Sequence, residues 1–133
     1  MTRKTIAVVL AASALFFAAC GGSDTAVIET VEATEASEIL AEPPNGLVVL
    51  DVRTPEEFDE VRLADASNLD FYAADFADRL DGLDKTLPYF IYCRSGNRSG
   101  QTLDMMRDLG FDEVYNLDGG IIAWNEAGLP VES

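Results

Sequence analysis

The segment that decides the fold is "YFIYCRSGNRSGQTL", residues Tyr89–Leu103. It begins with aromatic and aliphatic residues typical of a buried strand, and this run stops at Cys93. A short loop that contains Gly96 and two arginines follows, and a helix-like segment begins directly after it. A strand that leads through a tight loop into a helix is the repeating unit of α/β proteins, so this segment predicts a fold of that class.

The rest of the chain repeats this alternation of strands and helices. Further strands are predicted in "LVVLDV", "SNLDF" and "VYNL", and further helices in "EASEILAE", "TPEEF", "YAADFADRLDGL" and "GGIIAWNEAG". The "TPEEF" helix has a capping box, because Thr54 stands at its N-cap, Pro55 follows, and Glu57 lies three residues after the cap. The pattern predicts one α/β domain with a central, mostly parallel sheet that is flanked by helices on both faces. Such folds bind ligands at the carboxyl ends of strands, where Cys93 lies.

The composition limits the functions that are open to this chain. Its 133 residues give room for one domain, and nine basic against 24 acidic residues leave a formal charge of −15. An acidic body repels polyanions, so we expect no nucleic-acid partner. The sequence contains no histidine, which excludes Cys–His nucleophile pairs, histidine acid–base catalysis and nearly all zinc-site patterns. We expect neither a metal nor a cofactor.

The first residues of the chain resemble a secretory signal. Arg3 and Lys4 precede an apolar run that is too short for a transmembrane helix of about 20 residues. Cys20 then follows two alanines, which resembles the bacterial lipoprotein signal, although Phe17 stands where that family usually has Leu. The resemblance implies cleavage before Cys20, lipid attachment to its thiol, and an extracytoplasmic domain that meets the membrane only through this lipid. An ordinary cleaved signal is the alternative.

These features divide the chain into three parts. We expect a signal peptide over residues 1–19, a lipid-attachment cysteine with a tether over residues 20–30, and the folded domain over residues 31–133. The tether is predicted because the residues after Cys20 are small, polar and acidic. Acylation of Cys20 would leave Cys93 as the only free thiol and would exclude an intramolecular disulfide.

The loop after Cys93 combines features that activate a thiol. Backbone N–H groups of a tight loop and of a first helical turn have no internal partner, so they converge on the group that the loop surrounds. Gly96 lets the backbone turn inward, and Arg94 and Arg98 add positive charge. Each of these favours the thiolate over the thiol. The alternative is an inert cysteine in the core, with both arginines solvated or paired to carboxylates.

Four motifs follow one another in the order and spacing of a single-domain rhodanese, a sulfurtransferase: "VVLDVRTPEEF", "YFIYCRSGNRSGQTL", "GFDEVYNLDGGIIAW" and "GLP". The resemblance extends from Val31 to Val131. It implies a cysteine that takes a sulfane sulfur from thiosulfate or another small anionic donor, forms a persulfide and passes the sulfur to cyanide or a thiol. The position that matches this nucleophile is Cys93. The positions that match the active-site loop, which the resemblance implies binds the sulfur substrate, are Arg94, Ser95, Gly96, Asn97, Arg98 and Ser99. We expect Arg94, Arg98 and the backbone amides of this loop to hold the sulfonate of the donor.

The length of this loop distinguishes sulfurtransferases from related cysteine enzymes such as phosphatases. Four residues lie between Cys93 and Arg98, whereas cysteine phosphatases carry one residue more, enough to surround a tetrahedral phosphate. The shorter loop is better matched to a small sulfur species, so phosphatase or arsenate reductase activity is the less favoured alternative. A non-catalytic rhodanese-like module that binds a partner or senses oxidants through Cys93 is another alternative.

Three further features concern the surroundings of the loop. Residues Val61–Ala66 read "VRLADA" where the family usually has "GHIPGA", and in the family this segment chiefly shapes a turn. Asp51 ends a predicted central strand and, together with Arg53, is a candidate for orienting the Cys93 loop. Local pairing of these two side chains is the alternative. Trp124 is predicted to pack in the core.

Overall fold

The computed structural model describes residues 25–133. Its strands are β1 (Val27–Val31), β2 (Val48–Asp51), β3 (Ser67–Asn68), β4 (Pro88–Tyr92) and β5 (Glu113–Leu117). Its helices are α1 (Ala33–Ala41), α2 (Pro55–Glu60), α3 (Phe76–Asp81), α4 (Asn97–Leu109) and α5 (Gly120–Glu126). The strands form one sheet in the order β1-β5-β4-β2-β3, and every neighbouring pair is parallel. The predicted α/β class is confirmed.

Strand β4 lies at the centre of the sheet, and all five of its residues are buried. Its side chains alternate between the two faces, as strand geometry requires. Tyr89 and Ile91 pack in a core cluster that contains residues of α3 and α4, whereas Phe90 and Tyr92 pack with residues of α1 and α5. Helices therefore cover both faces, and this explains why the strand is a continuous apolar run. Trp124 belongs to the second cluster and is 4% exposed, which confirms its core position.

Strand β1 corrects one boundary of the sequence analysis. The predicted tether over residues 20–30 overlaps this strand, because Val27–Thr30 pair in parallel with Glu113–Asn116 of β5. The strand is not predicted from the sequence because its composition is acidic and polar. Such a composition is tolerated there, since β1 lies at the edge of the sheet and only Val31 is buried. The folded domain therefore includes residues that precede position 31.

The remaining predictions for the N-terminus concern residues that the structure does not describe. Both the signal peptide, residues 1–19, and the lipid-attachment residue Cys20 lie outside the described residues. Within residues 25–133, no helix combines the length and the apolar character that crossing a membrane requires.

Helix α2 begins as the sequence predicts. The Thr54 hydroxyl accepts a hydrogen bond from the backbone N–H of Glu57 at 3.3 Å. The Glu57 carboxylate in turn accepts one from the backbone N–H of Thr54 at 3.1 Å. Both halves of the capping box are present, and Pro55 occupies the first helical position. This local geometry fixes Glu57 at the start of α2.

Candidate active site

Cys93 lies directly after β4, at the carboxyl end of the central strand, and is 1% exposed. Its Sγ atom accepts a hydrogen bond from the backbone N–H of Gly96 at 3.0 Å and another from the Ser99 hydroxyl at 3.3 Å. Gly96 has a φ of 96°, a left-handed conformation that favours glycine, and it is the N-cap of α4. The chain thus folds the first turn of α4 back over the sulfur atom.

These contacts set the ionisation of the thiol. Burial by itself raises the pKa of Cys93, but hydrogen bonds from the Ser99 hydroxyl and from the backbone N–H groups of Ser99, Gly96 and Ser95 oppose it. Their sum places the pKa of Cys93 below the ordinary value of a thiol. Because the thiolate is the nucleophilic form of cysteine, the loop prepares Cys93 for attack on an electrophilic atom.

Arg98 closes the loop through a partner that lies far away in the sequence. Its Nη1 and Nη2 atoms donate to the two carboxylate oxygens of Glu57 at 2.7 and 2.9 Å. Hydrogen bonding from Arg98 lowers the pKa of Glu57 to about 2, against the effect of burial and with help from the backbone N–H of Thr54. From the sequence, Glu57 is assigned only to the capping box, because 41 positions separate it from Arg98.

The start of α5 holds the loop from another side. Gly120 has a φ of 61°, and a Cβ atom there would lie 2.4 Å from the carbonyl carbon and oxygen of Arg94. The N–H of Ile121 donates to the carbonyl of Cys93 at 2.9 Å, and the N–H of Ile122 donates to that of Arg94 at 3.2 Å. No role for Gly120 is predicted from the sequence. The signal from which it could be found is the pair Gly119-Gly120, which begins two positions after the last residue of β5.

Arg94 is exposed and faces a cleft of about 270 Å³. The lining of the cleft combines charged side chains with apolar residues that include Ile121 and Ile122 of α5. Its lining consists of Arg53, Glu57, Glu60, Val61, Arg94, Ile121, Ile122 and Asn125.

Asp51 and Arg53 form the local pair that the sequence left as an alternative. The Asp51 carboxylate is fully buried and accepts hydrogen bonds from the backbone N–H of Arg53 at 2.8 Å and from its Nη2 at 2.6 Å. Nη2 of Arg53 also donates to the carbonyl of Val61. The pair thus ties the end of β2 to the segment after α2. Within residues 25–133, its side chains form no hydrogen bond or ion pair with the Cys93 loop.

A model of the rhodanese-like domain family matches residues 32–127 of this chain. The chain belongs to the rhodanese-like domain family. A sulfurtransferase of Allochromatium vinosum is 35% identical over 105 residues, which cover 79% of this chain and 95% of that protein. Thiosulfate sulfurtransferase GlpE of Pseudomonas syringae is 38% identical over 80 residues, 59% of this chain and 73% of that protein. The crystal structure of a rhodanese-related protein from Thermoplasma volcanium is similar with a TM-score of 0.67 and 27% identity, over 78% of this chain and 97% of that one.

The rhodanese-like domain brings part of the predicted loop to the sulfur atom. Gly96 and Ser99 contact Sγ directly, and Ser95 acts on the thiol through its backbone. The Oδ1 atom of Asn97 instead accepts a hydrogen bond from Gln101 at 2.7 Å, at an exposed position. Among residues 25–133, no group of three or more His, Cys, Asp or Glu side chains is arranged to hold a metal ion.

Proposed function

We propose that this rhodanese-like domain is a sulfurtransferase that carries a sulfane sulfur on Cys93 as a persulfide. The observation that carries the proposal is the environment of the Cys93 thiol. Its Sγ lies at the end of β4 and accepts hydrogen bonds from Gly96 and Ser99, and the pKa of the thiol is lowered. Membership of the family and the similarity to proteins named sulfurtransferases support it.

In the first half-reaction, the Cys93 thiolate attacks the outer sulfur of thiosulfate. A new S–S bond forms between Cys93 and that sulfur, and the bond to the sulfonate sulfur breaks. The bonding electron pair leaves with sulfite, and the enzyme is left as a persulfide anion. The backbone N–H groups that stabilise the thiolate lie next to this anion and stabilise it as well.

In the second half-reaction, a nucleophilic acceptor attacks the outer sulfur of the persulfide. With cyanide the product is thiocyanate, and with a thiolate it is a new persulfide. The S–S bond to Cys93 breaks, its electron pair returns to Sγ, and the thiolate is restored. Donor and acceptor therefore react in turn at one site, which is a ping-pong mechanism.

Thiocyanate formation from thiosulfate and cyanide tests this proposal. We expect the purified protein to catalyse the reaction and Cys93→Ser to reduce the rate to that of the uncatalysed reaction. Mass spectrometry after thiosulfate alone should show the gain of one sulfur atom on Cys93. Equal rates for wild type and Cys93→Ser would contradict the proposal, and only sulfenic or sulfinic forms of Cys93 would indicate an oxidant sensor.

The length of the loop favours sulfur transfer over phosphate-ester hydrolysis. Four residues separate Cys93 from Arg98, and the first turn of α4 already lies 3.0 Å from Sγ at Gly96. We expect no turnover of p-nitrophenyl phosphate or arsenate under conditions in which thiocyanate is formed. Turnover of either compound that depends on Cys93 would favour the phosphatase or arsenate reductase alternative.

We further propose that Cys20 anchors the domain to the outer face of a membrane through a lipid. The support comes from the sequence alone, where Cys20 follows an apolar segment and two alanines. We expect the full-length protein in the membrane fraction of a bacterial host and Cys20→Ala in the soluble fraction. Cys93→Ala is the matched control, because it removes the other cysteine. Equal partitioning of wild type and Cys20→Ala would reject the anchor.

A further inference from the structure

A cavity of about 360 Å³ lies on the other face of the sheet from Cys93. Its walls come from the end of α1, the start of β2, the segment before β3, and α5 with the residues that follow it. Val49, Leu63 and Trp124 are buried members of this lining, and all three belong to the core cluster that does not contain Cys93. The cavity is therefore separate from the sulfur site, because the sheet lies between them.

Hydrogen bonds hold the walls of this cavity in place. The indole N–H of Trp124 donates to the carbonyl of Pro130 at 2.9 Å, and the backbone N–H of Leu129 donates to the carbonyl of Trp124 at 3.3 Å. The N–H of Leu63 donates to the hydroxyl of Tyr92 on the central strand at 3.1 Å. These contacts give the cavity a fixed shape. Cavities that are largely preformed and mostly apolar are the usual binding sites for small molecules.

One charged side chain stands in this apolar lining. Of the residues that line the cavity, all of which lie within 25–133, only Asp65 is charged. Asp65 is exposed and so lies at the rim, whereas Leu63 is 1% exposed. Within the described residues, the Asp65 carboxylate forms neither an ion pair nor a hydrogen bond. An unpaired carboxylate at the rim of an apolar cavity complements a cationic group on an apolar molecule.

The backbone conformation of Asp65 indicates that its side chain is not there for the fold. Its φ is 61°, and in the part of the chain that the structure describes no other residue except glycine has a positive φ. Glycine adopts this left-handed conformation at the lowest cost. In the segment "VRLADA", Asp65 stands where the pattern "GHIPGA" has its second glycine. The chain thus keeps a carboxylate where glycine would be less strained, which favours a role for the carboxylate itself.

We propose that this cavity binds a small amine, with the apolar body of the ligand against Leu63 and Trp124 and its ammonium group beside the Asp65 carboxylate. The volume is near the lower end of the range for small-molecule sites, about 300–1,000 Å³, which limits the size of the ligand. An anionic ligand is disfavoured by Asp65 and by the formal charge of −15. The inference goes beyond sulfur transfer and does not depend on it.

The fluorescence of Trp124 reports binding at this site, because Trp124 is the single tryptophan of the chain and lines the cavity. Its emission is followed at neutral pH during titration with n-octylamine. A second titration uses 1-octanol, which has the same apolar chain without the charge, and sodium chloride keeps the ionic strength constant. We expect n-octylamine to bind about fivefold more tightly than 1-octanol, the upper range for an ion pair at a protein surface. Octanoate, which carries the opposite charge, should bind more weakly than 1-octanol.

Two variants of Asp65 test the role of its carboxylate. Asp65→Asn removes the charge and keeps a residue that tolerates the left-handed conformation, and Asp65→Gly removes the charge together with the strain. In both variants the preference for n-octylamine over 1-octanol should disappear, while 1-octanol binds as in the wild type. Asp108→Asn is the matched control, because Asp108 is exposed on α4, which packs on the other face of the sheet. The preference should persist in this control.

Alkylation of Cys93 by iodoacetamide distinguishes this cavity from the sulfur site. Because the sheet separates the two, saturating n-octylamine should leave the rate of alkylation unchanged, and Cys93→Ser should bind n-octylamine as the wild type does. Protection of Cys93 by n-octylamine, equal affinities of the wild type for n-octylamine and 1-octanol, or a preference that survives in both Asp65 variants would overturn the inference. Absence of thiocyanate formation together with the expected amine binding would instead reject the proposed function alone.

Discussion

At the scale of single residues, Ser99 shows how much the environment of Cys93 depends on one hydroxyl group. Ser99 is fully buried, and its Oγ donates to Sγ at 3.3 Å. A hydrogen bond to a charged acceptor stabilises the charged form, so removal of this donor raises the pKa of the thiol. We expect Ser99→Ala to shift the pH profile of alkylation upward and to slow alkylation at neutral pH by about tenfold.

Ser95→Ala is the control for this prediction. Ser95 is exposed and acts on the thiol through its backbone N–H, which the substitution retains. The pH profile of Cys93 alkylation in Ser95→Ala should coincide with that of the wild type. Identical profiles for Ser99→Ala and Ser95→Ala would show that the backbone alone sets the ionisation of Cys93.

The same residues mark what a sequence can reveal about this site. The donors to Sγ lie within six positions of Cys93, so the strand, the glycine and the helix start predict their arrangement locally. The partner of Arg98 could not be predicted in this way, because Glu57 reaches it only after the fold has brought the start of α2 close to the start of α4. The pairing of Asp51 with Arg53 could be stated only as one of two alternatives, since both geometries fit the spacing.

At the scale of secondary-structure elements, the contact between the loop and α5 predicts a specific intolerance to substitution. A Cβ atom on Gly120 would lie 2.4 Å from the Arg94 carbonyl group and 2.6 Å from the oxygen of Cys93, in a left-handed backbone conformation. These atoms belong to the backbone and cannot rotate away. We expect Gly120→Ala to lower the free energy of unfolding by at least about 2 kcal/mol, measured by urea denaturation, and to impair alkylation of Cys93.

Gly128→Ala separates crowding from the cost of the left-handed conformation. Gly128 has a φ of 72°, and a Cβ atom there would meet nothing within 4 Å. We expect Gly128→Ala to lower the free energy of unfolding only by the penalty of the left-handed conformation, about 1 kcal/mol. Equal losses of stability in Gly120→Ala and Gly128→Ala would show that the close packing of α5 on the loop contributes nothing to the free energy of unfolding.

The ion pair between α2 and α4 should make stability depend on pH. The pKa of Glu57 is lowered from 4.5 to about 2 in the folded protein, with Arg98 as the largest cause. The ion pair therefore stabilises the fold above the unfolded pKa of Glu57, and this contribution is lost as pH falls from 4.5 towards 2. We expect the wild type to lose about 1–3 kcal/mol more than Glu57→Gln over this range, measured by urea denaturation.

Glu56→Gln is the control for the pH dependence. Glu56 lies in the same first turn of α2 but is exposed, so its replacement should leave the acid-induced loss of stability as large as in the wild type. A wild type and a Glu57→Gln variant that lose stability in parallel would contradict the assigned role of the Glu57–Arg98 pair.

The strength with which the local sequence predicts each helix or strand depends on how that element is buried and capped. Strand β4 is buried on both faces and α2 has its capping box, so each carries a strong local pattern. Strand β1 has one buried residue and one neighbouring strand, and its ordering depends on pairing with residues of β5 that are 86 positions away in the chain. The local sequence pattern therefore does not predict an edge strand of this kind.

At the scale of the whole molecule, the charge of −15 opposes the approach of a dianionic donor to Cys93. Of the two arginines in the Cys93 loop, Arg98 is paired with Glu57, and Arg94 has no ion-pair partner within residues 25–133. At an ionic strength of 0.01 M the screening length is about 30 Å, so the acidic surface acts on the site, whereas at 0.1 M it is about 10 Å and only nearby charges act. We therefore expect kcat/KM for thiosulfate to rise severalfold when sodium chloride is increased over this range. The alkylation rate of Cys93 by iodoacetamide, an uncharged reagent, should change much less over the same range. A fall in kcat/KM for thiosulfate over the same range would mean that the attraction of Arg94 outweighs the repulsion by the rest of the protein even at low salt.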